Sequence, residues 1–161
     1  MLKAVNILKE NAQLIKRLVD GWKFFMHTEV VVGITEDSNV AREHGLTNAG
    51  LLYLHENGVP SHNIPPRPVL RPALTADGTR QKIETLMKEA MKEALVSGNV
   101  EKARMNYEKA GMVGRDACKE WIVGGHLAPN APATIARKSS SLPLVDTGSL
   151  LNSITYAVRE K

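Results

Sequence analysis

The residues with the clearest potential for catalysis lie between Leu144 and Ser149, where two apolar residues precede Asp-Thr-Gly-Ser. An aspartate on such a tight turn could hold its carboxylate beside a second one. Two carboxylates that share a proton can activate a water molecule for peptide hydrolysis. A chain with one such triplet would need a second copy to supply the partner carboxylate. The candidate catalytic group is therefore Asp146.

This pattern resembles the active-site loop of aspartic proteases, but its surroundings favour another role. In those enzymes the loop joins strands of a β-barrel, whereas Leu150, Leu151 and Ile154 follow here at helical spacing. Most of the chain before the triplet has helical periodicity as well. We therefore expect Asp146 to be a structural residue that caps a short helix by accepting one of its first backbone N–H groups.

The other polar clusters do not form a recognisable site. His44, His55 and His62 share a region with glycines and prolines, but their spacing is not that of a zinc site. Cys118 is expected to be a small buried residue of a helix. No glycine-rich segment continues into the Gly-Lys-Ser/Thr of a phosphate-binding loop. The sequence thus predicts no enzymatic activity, no metal and no cofactor.

Composition places the chain among soluble globular proteins. Its 161 residues suit a single domain spanning 1–161, and 43% are apolar and 24% charged. The formal net charge of +4 and the pI near 9.3 permit a nucleic-acid or acidic partner, although the charges are scattered. No apolar run is long enough for a membrane span, and the N-terminus lacks the apolar core of a signal peptide. We expect synthesis in the cytoplasm and no membrane partner.

The N-terminal region is predicted to form a long amphipathic helix over residues 2–26. Its apolar residues recur in alternating steps of three and four: Val5, Leu8, Ala12, Ile15, Val19 and Trp22. Such a stripe can pack on the sheet of its own chain, which is the favoured interpretation, or form a coiled-coil seam. Short β-branched runs predict strands at residues 29–35 and 154–159.

The middle of the chain is predicted to contain two helices between two irregular segments. Five prolines make residues 60–75 an extended, rigid arm. Asp77 is expected to cap the first helix, Gly98-Asn99 separates it from a second helix over 100–123, and Gly124-Gly125 ends that one. Residues 125–143 form a long loop, expected to become ordered against a partner. The predicted fold class is α+β, with helices packed on a small, mostly antiparallel sheet.

Two segments and their order resemble one protein family. Residues 55–74, HENGVPSHNIPPRPVLRPAL, are similar to its Glu-x-Gly and Ile-Pro-x-Arg-Pro-Phe-Leu motifs, with Val69 in place of phenylalanine. Residues 128–158 are similar to its Pro-Leu-x-Asp-Thr-Gly-x-Leu-x-x-Ser-Ile ending, with Leu151 where arginine is frequent. The family is that of the tail-completion, or head–tail joining (neck), proteins of tailed bacteriophages and prophages.

The resemblance implies a structural virion protein without enzymatic activity. It would form a homo-oligomeric ring, expected to be sixfold, at the head–tail junction, between the head connector or adaptor and the tail terminator or tail-tube proteins. DNA would only pass through the ring. The alternative is a nucleic-acid-binding phage or prophage accessory protein that uses the positive charge. Interface contacts are predicted in the arm and the long loop, at Ile64, Arg67, Val69, Leu70, Leu127, Ile135, Arg137, Lys138 and Leu142.

Overall fold

The computed structural model describes residues 2–42, 45–138 and 140–161, with side chains from Lys9 onward. The order of its longer elements is α1 (Leu2–His27), β1 (Thr28–Gly33), α2 (Asn48–Asn57), α3 (Leu70–Thr75), α4 (Asp77–Leu95), α5 (Val100–Val123), α6 (Pro132–Arg137), α7 (Ser149–Ser153) and β2 (Thr155–Glu160). This arrangement confirms the predicted α+β class. Within these ranges, no helix combines the length and the apolar character needed to cross a membrane.

The sheet consists of β1 and β2, which pair antiparallel from Thr28 opposite Glu160 to Gly33 opposite Thr155. A two-stranded sheet is marginal alone, so its stability depends on the helix that covers it. That helix is α5, which approaches closely at two glycines. A Cβ on Gly111 would lie 2.7 Å from Tyr156 Cγ, and one on Gly114 would lie 2.9 Å from Val32 Cγ2. A larger residue at either position would therefore require these side chains to move or α5 to lie farther from the sheet.

Helix α1 packs against α4 through small residues. A Cβ on Gly21 would lie 2.6 Å from the carbonyl oxygen of Ala94, so the two helix backbones are almost in contact there. Phe24, Ala90 and Ala94 are buried at this junction, together with Tyr107 of α5. The ring centroids of Phe24 and Tyr107 are 5.0 Å apart. This cluster attaches the C-terminal half of α1 to the body of the protein.

The apolar stripe of α1 faces away from this junction. Ile15, Val19, Trp22 and Met26, the α1 stripe, are 61%, 45%, 62% and 54% exposed, and all side chains from Lys9 to Asp20 are exposed. Phe24 lies about 200° around the helix from Trp22, at about 100° per residue, which explains why one is buried and the other is not. For Ala12, Ile15, Val19 and Trp22, the interpretation in which the stripe packs on the chain's own sheet is wrong, while the side chains of Val5 and Leu8 lie outside the described ones. The coiled-coil seam stays a prediction.

The segments around α4 differ from the sequence-based expectations in two details. The proline arm ends in helix α3, which includes Pro72. Its third position tolerates proline because the first helical N–H groups have no partner within the helix. The prediction that Asp77 caps α4 is wrong, since the N-cap residue is Ala76 and Asp77 forms an ion pair with Arg80 at 3.3 Å.

A second core lies beneath the two motif segments. Its buried members come from α2, the arm, α5 and the C-terminal region: Leu52, Val69, Ala73, Cys118, Ile122, Leu127, Leu150 and Ile154. Burial, with a smaller contribution from the charge of Glu56, raises the pKa of the Cys118 thiol to about 11. That thiol is protonated at neutral pH, as a packing residue rather than a nucleophile.

Candidate functional site

The first motif segment is held together by Glu56. Its Oε1 atom accepts hydrogen bonds from the backbone N–H groups of Val69 at 2.8 Å and Leu70 at 2.5 Å. These groups lie at the start of α3, where helical N–H groups need an outside acceptor. The backbone N–H of Arg67 also donates to the carbonyl of His55, at 2.6 Å. The Glu-x-Gly and Arg-Pro parts of the motif are therefore linked directly.

Arg67 connects the first motif segment to the second. Its side chain is only 8% exposed, and its Nε and Nη2 atoms donate to the carbonyl oxygens of Ala128 at 2.8 Å and Pro129 at 3.0 Å. Burial lowers the pKa of the guanidinium from its usual value. This contact spans about sixty residues of sequence and fixes the start of the long loop against the arm.

The long loop is partly ordered within the protomer. It contains the six-residue helix α6, and Asn130 Nδ2 donates to the carbonyl of Ser141 at 3.0 Å. Leu127 and Pro143 are buried at its two ends. The expectation that this loop depends on a partner for all of its order is therefore not met. Residue Ser139 lies outside the described residues, as does His44.

Asn48 joins the second motif segment to α2. Its Nδ2 atom donates to Ser149 Oγ at 3.1 Å and to Ser153 Oγ at 2.5 Å, while its Oδ1 accepts from Arg42 Nε at 2.5 Å. The side chain is fully buried, so these bonds satisfy a polar group that would otherwise be costly. Asn48 was not among the predicted site residues, since the local sequence signal is the preceding Thr47, whose side chain caps α2 by accepting from the Gly50 N–H.

The predicted helix cap at Asp146 is wrong. Helix α7 begins at Ser149, its N-cap residue is Gly148 in the left-handed region at φ 80°, and Thr147 Oγ1 accepts from the Ser149 N–H at 3.4 Å. Asp146 lies two positions before this N-cap, and no side chain caps α7 from the N-cap position. It is exposed, on a loop leading into a helix rather than between strands of a barrel.

A cleft of about 780 Å³ lies between the arm, the long loop and the Asp146 loop. We call it the basic cleft. Its charged and imidazole side chains are Arg42, His55, His62, Arg67, Arg137, Lys138 and Asp146. Among the residues that the structure describes, four permanent cations therefore surround it, against one carboxylate.

The four cations are not neutralised within the described part of the chain. None of them forms an ion pair with a described carboxylate. They donate instead to uncharged oxygens: Lys138 Nζ to the Leu142 carbonyl at 3.2 Å, and Arg137 Nε to the Ala133 carbonyl at 3.4 Å. A concave site lined by one sign of charge focuses the electrostatic potential, so the basic cleft attracts anions.

His55 lies in the same cleft with an unsatisfied atom. Its Nδ1 is buried and, among the described groups, has no hydrogen-bond partner. Burial, and to a lesser extent the charges of Arg67 and Lys138, lower the pKa of this imidazole below 6.5. His55 is therefore neutral at pH 7, and charging it would add to the local positive potential.

The lowered pKa of His55 predicts a loss of stability in mild acid. As the pH falls, the unfolded state binds the imidazole proton before the folded state does. The stability that neutral His55 contributes is therefore complete above pH 6.5 and declines as the pH falls through 6.5 towards the folded pKa. We expect His55→Gln to lose less of its free energy of unfolding than the wild type between about pH 7.5 and pH 5. Urea titrations at both pH values measure the difference. Identical pH dependence in the two proteins would refute this assignment.

The structure brings four of the predicted interface residues into the basic cleft: Ile64, Arg67, Arg137 and Lys138. Ile135 and Leu142 are exposed nearby, while Leu70 is half-buried. Val69, at 0% exposure, and Leu127 lie in the protomer's own core, which leaves their side chains no surface for a partner. The interface role of the accessible residues stays a prediction. Arg42 was missed and His55 was considered only as a metal ligand, because no local pattern places these two residues near the loop.

Comparison with family models, curated proteins and solved structures found no match to the chain. Among the described residues, no group of three or more His, Cys, Asp or Glu side chains is arranged to hold a metal ion. The site therefore has to be interpreted from its own geometry and from the motif residues that form it.

Proposed function

We propose that this chain is a structural virion protein that forms a ring at the head–tail junction of a tailed bacteriophage and is needed to join tail to head. One observation carries the proposal: the residues that match the tail-completion motifs meet at one junction. Glu56 binds the start of α3, and Arg67 binds the carbonyls of Ala128 and Pro129. Motif residues far apart in sequence thus have a shared structural role.

The protomer also offers two unlike surfaces. A ring built from head-to-tail contacts requires each subunit to present two different surfaces that meet. The α1 stripe is apolar and projects from one part of the protein, while the basic cleft is concave and positively charged. In the proposed ring, expected from the resemblance to have six copies, these surfaces contact neighbouring subunits or the connector and tail proteins.

The proposed location is the assembled virion, after synthesis in the bacterial host. The partners of this chain would be copies of itself, the head connector or adaptor, and the tail terminator or tail-tube proteins. DNA would only pass through the ring. A nucleic-acid-binding accessory role is the alternative, and the basic cleft is the feature that favours it. Against it, no Phe, Tyr or Trp side chain among the described residues lines the cleft to stack on bases.

The test is a change in the α1 stripe within the phage or prophage that encodes the chain. Trp22→Asp should leave the fold intact, because Trp22 is 62% exposed, but should remove most joined virions, leaving separate heads and tails. Electron microscopy of lysates counts joined particles. Tyr53→Asp, at an exposed aromatic residue of α2, is the matched control. In this variant heads and tails should join normally. Normal virions from a deletion of the whole gene would overturn the proposal.

A further inference from the structure

We propose that the basic cleft binds an acidic peptide segment of a partner protein, with at least one apolar side chain between its carboxylates. The inference depends on the cleft alone, so it stands or falls separately from the neck function. Its volume of about 780 Å³ lies within the usual range of ligand sites, about 300–1,000 Å³. The site is therefore large enough for several groups of one ligand.

The charges define the chemistry of the ligand. Arg42, Arg67, Arg137 and Lys138 make no ion pair with a described carboxylate, and their donors reach only uncharged oxygens. Bound carboxylates would supply the missing negative charge through hydrogen bonds in which both partners are ionised, roughly twice as strong as neutral ones. Four cations around one space thus favour a ligand with more than one negative charge.

The apolar part of the cleft lining distinguishes a peptide ligand from other anions. Leu51, Ile64 and Leu144 are half-buried and also line the cleft, where they contribute apolar surface. A free inorganic anion would leave this surface in water, whereas an apolar side chain of a peptide would cover it. The amides of Asn63 and Asn130 and the hydroxyl of Thr134 also line the cleft, and such groups suit the N–H and C=O of a peptide backbone.

A nucleic acid fits the same cleft less well. Non-specific single-strand sites combine positive charge with aromatic stacking platforms, whereas the described lining of this cleft contains no Phe, Tyr or Trp. The carboxylate of Asp146 also lies in the wall, where it would repel the evenly spaced charges of a phosphate backbone. A peptide can place its carboxylates away from Asp146, which a continuous phosphate chain cannot do.

The test uses the full chain and a fluorescein-labelled peptide in which Asp and Glu alternate with Leu. Fluorescence anisotropy should show saturable binding, and the matched peptide with Asn and Gln in place of the acids should bind at least tenfold more weakly. Arg137→Ala with Lys138→Ala should weaken binding of the acidic peptide by about tenfold or more, since both substitutions remove a cation that can bind a carboxylate through a charge-assisted hydrogen bond. Both side chains are accessible, so the fold should be retained, as circular dichroism checks.

The controls decide between the remaining outcomes. Lys82→Ala with Lys88→Ala removes two exposed cations of α4 outside the cleft and should leave the affinity unchanged. Equal loss of affinity for the acidic peptide in both double variants would mean that only the net charge of the protein determines binding, and the proposed site would be wrong. Tighter binding of a single-stranded oligonucleotide than of the acidic peptide would overturn the peptide assignment. Equal binding of the acidic and amide peptides would do the same.

Discussion

Glu56→Ala is expected to lower the free energy of unfolding by about 2–4 kcal/mol, because a buried backbone N–H without an acceptor costs about 1–3 kcal/mol. Two such groups, those of Val69 and Leu70, lose their acceptor in this variant. Water can replace only part of the lost hydrogen bonding, since Val69 is fully buried. Urea unfolding followed by circular dichroism measures the effect.

Two further variants separate the acceptor from the charge. Glu56→Gln keeps an oxygen at the same position and should lose clearly less stability than Glu56→Ala. Asp77→Ala removes an exposed carboxylate whose ion pair with Arg80 contributes about 0–1 kcal/mol. If Glu56→Ala proves no more destabilising than Asp77→Ala, the proposed link between the two halves of the first motif is incorrect.

Gly21→Ala should destabilise the protein by about 1–3 kcal/mol, the usual cost of overpacking. Its new Cβ would lie 2.6 Å from the Ala94 carbonyl oxygen and 2.9 Å from the carbonyl carbon. These are backbone atoms of α4, so relief requires the two helices to separate. The clash must also exceed the gain of about 0.5–1 kcal/mol that alanine normally gives over glycine within a helix.

Gly78→Ala is the matched control. Gly78 also lies in a helix, near the start of α4, but its Cβ would meet no atom within 4 Å. Alanine should therefore stabilise the protein slightly at this position. Chemical unfolding gives both free energies, and hydrogen exchange of the α1 amides should accelerate only in Gly21→Ala. A gain in stability from both changes would show that α1 and α4 are not in close contact.

The sequence predicted elements better than it predicted their surroundings. The helical period of Ile15, Val19 and Trp22 established that they share one face, and α1 confirms it. Periodicity cannot say what covers that face. The contact with α4 depends on Gly21 and Ala94, whose small side chains carry no hydrophobic pattern. The orientation of α1 was therefore not available from the stripe.

At the candidate site too, local sequence predicted some residues, whereas the tertiary fold determines the others. Arg67, Arg137 and Lys138 were identified as cations in segments that needed a partner, and the structure places all three in the basic cleft. Arg42 and His55 reach it through the tertiary fold, which no local spacing encodes. The cap at Asp146 was misassigned because Gly148, at φ 80°, takes the N-cap position. A short helix start is decided by one backbone angle, and sequence patterns rarely determine that.

The pairing of β1 with β2 has a consequence for biosynthesis. The two strands are separated by about 120 residues, and closing so long a loop costs about 4 kcal/mol of chain entropy before any contact repays it. At about 5–20 residues per second, β1 is synthesised about 6–24 s before its partner strand. During that interval the run Val30 to Val32 is an unpaired, β-branched edge. Helices α4 and α5 are complete before β2 is synthesised, so this helix pair can form while the sheet is still unpaired.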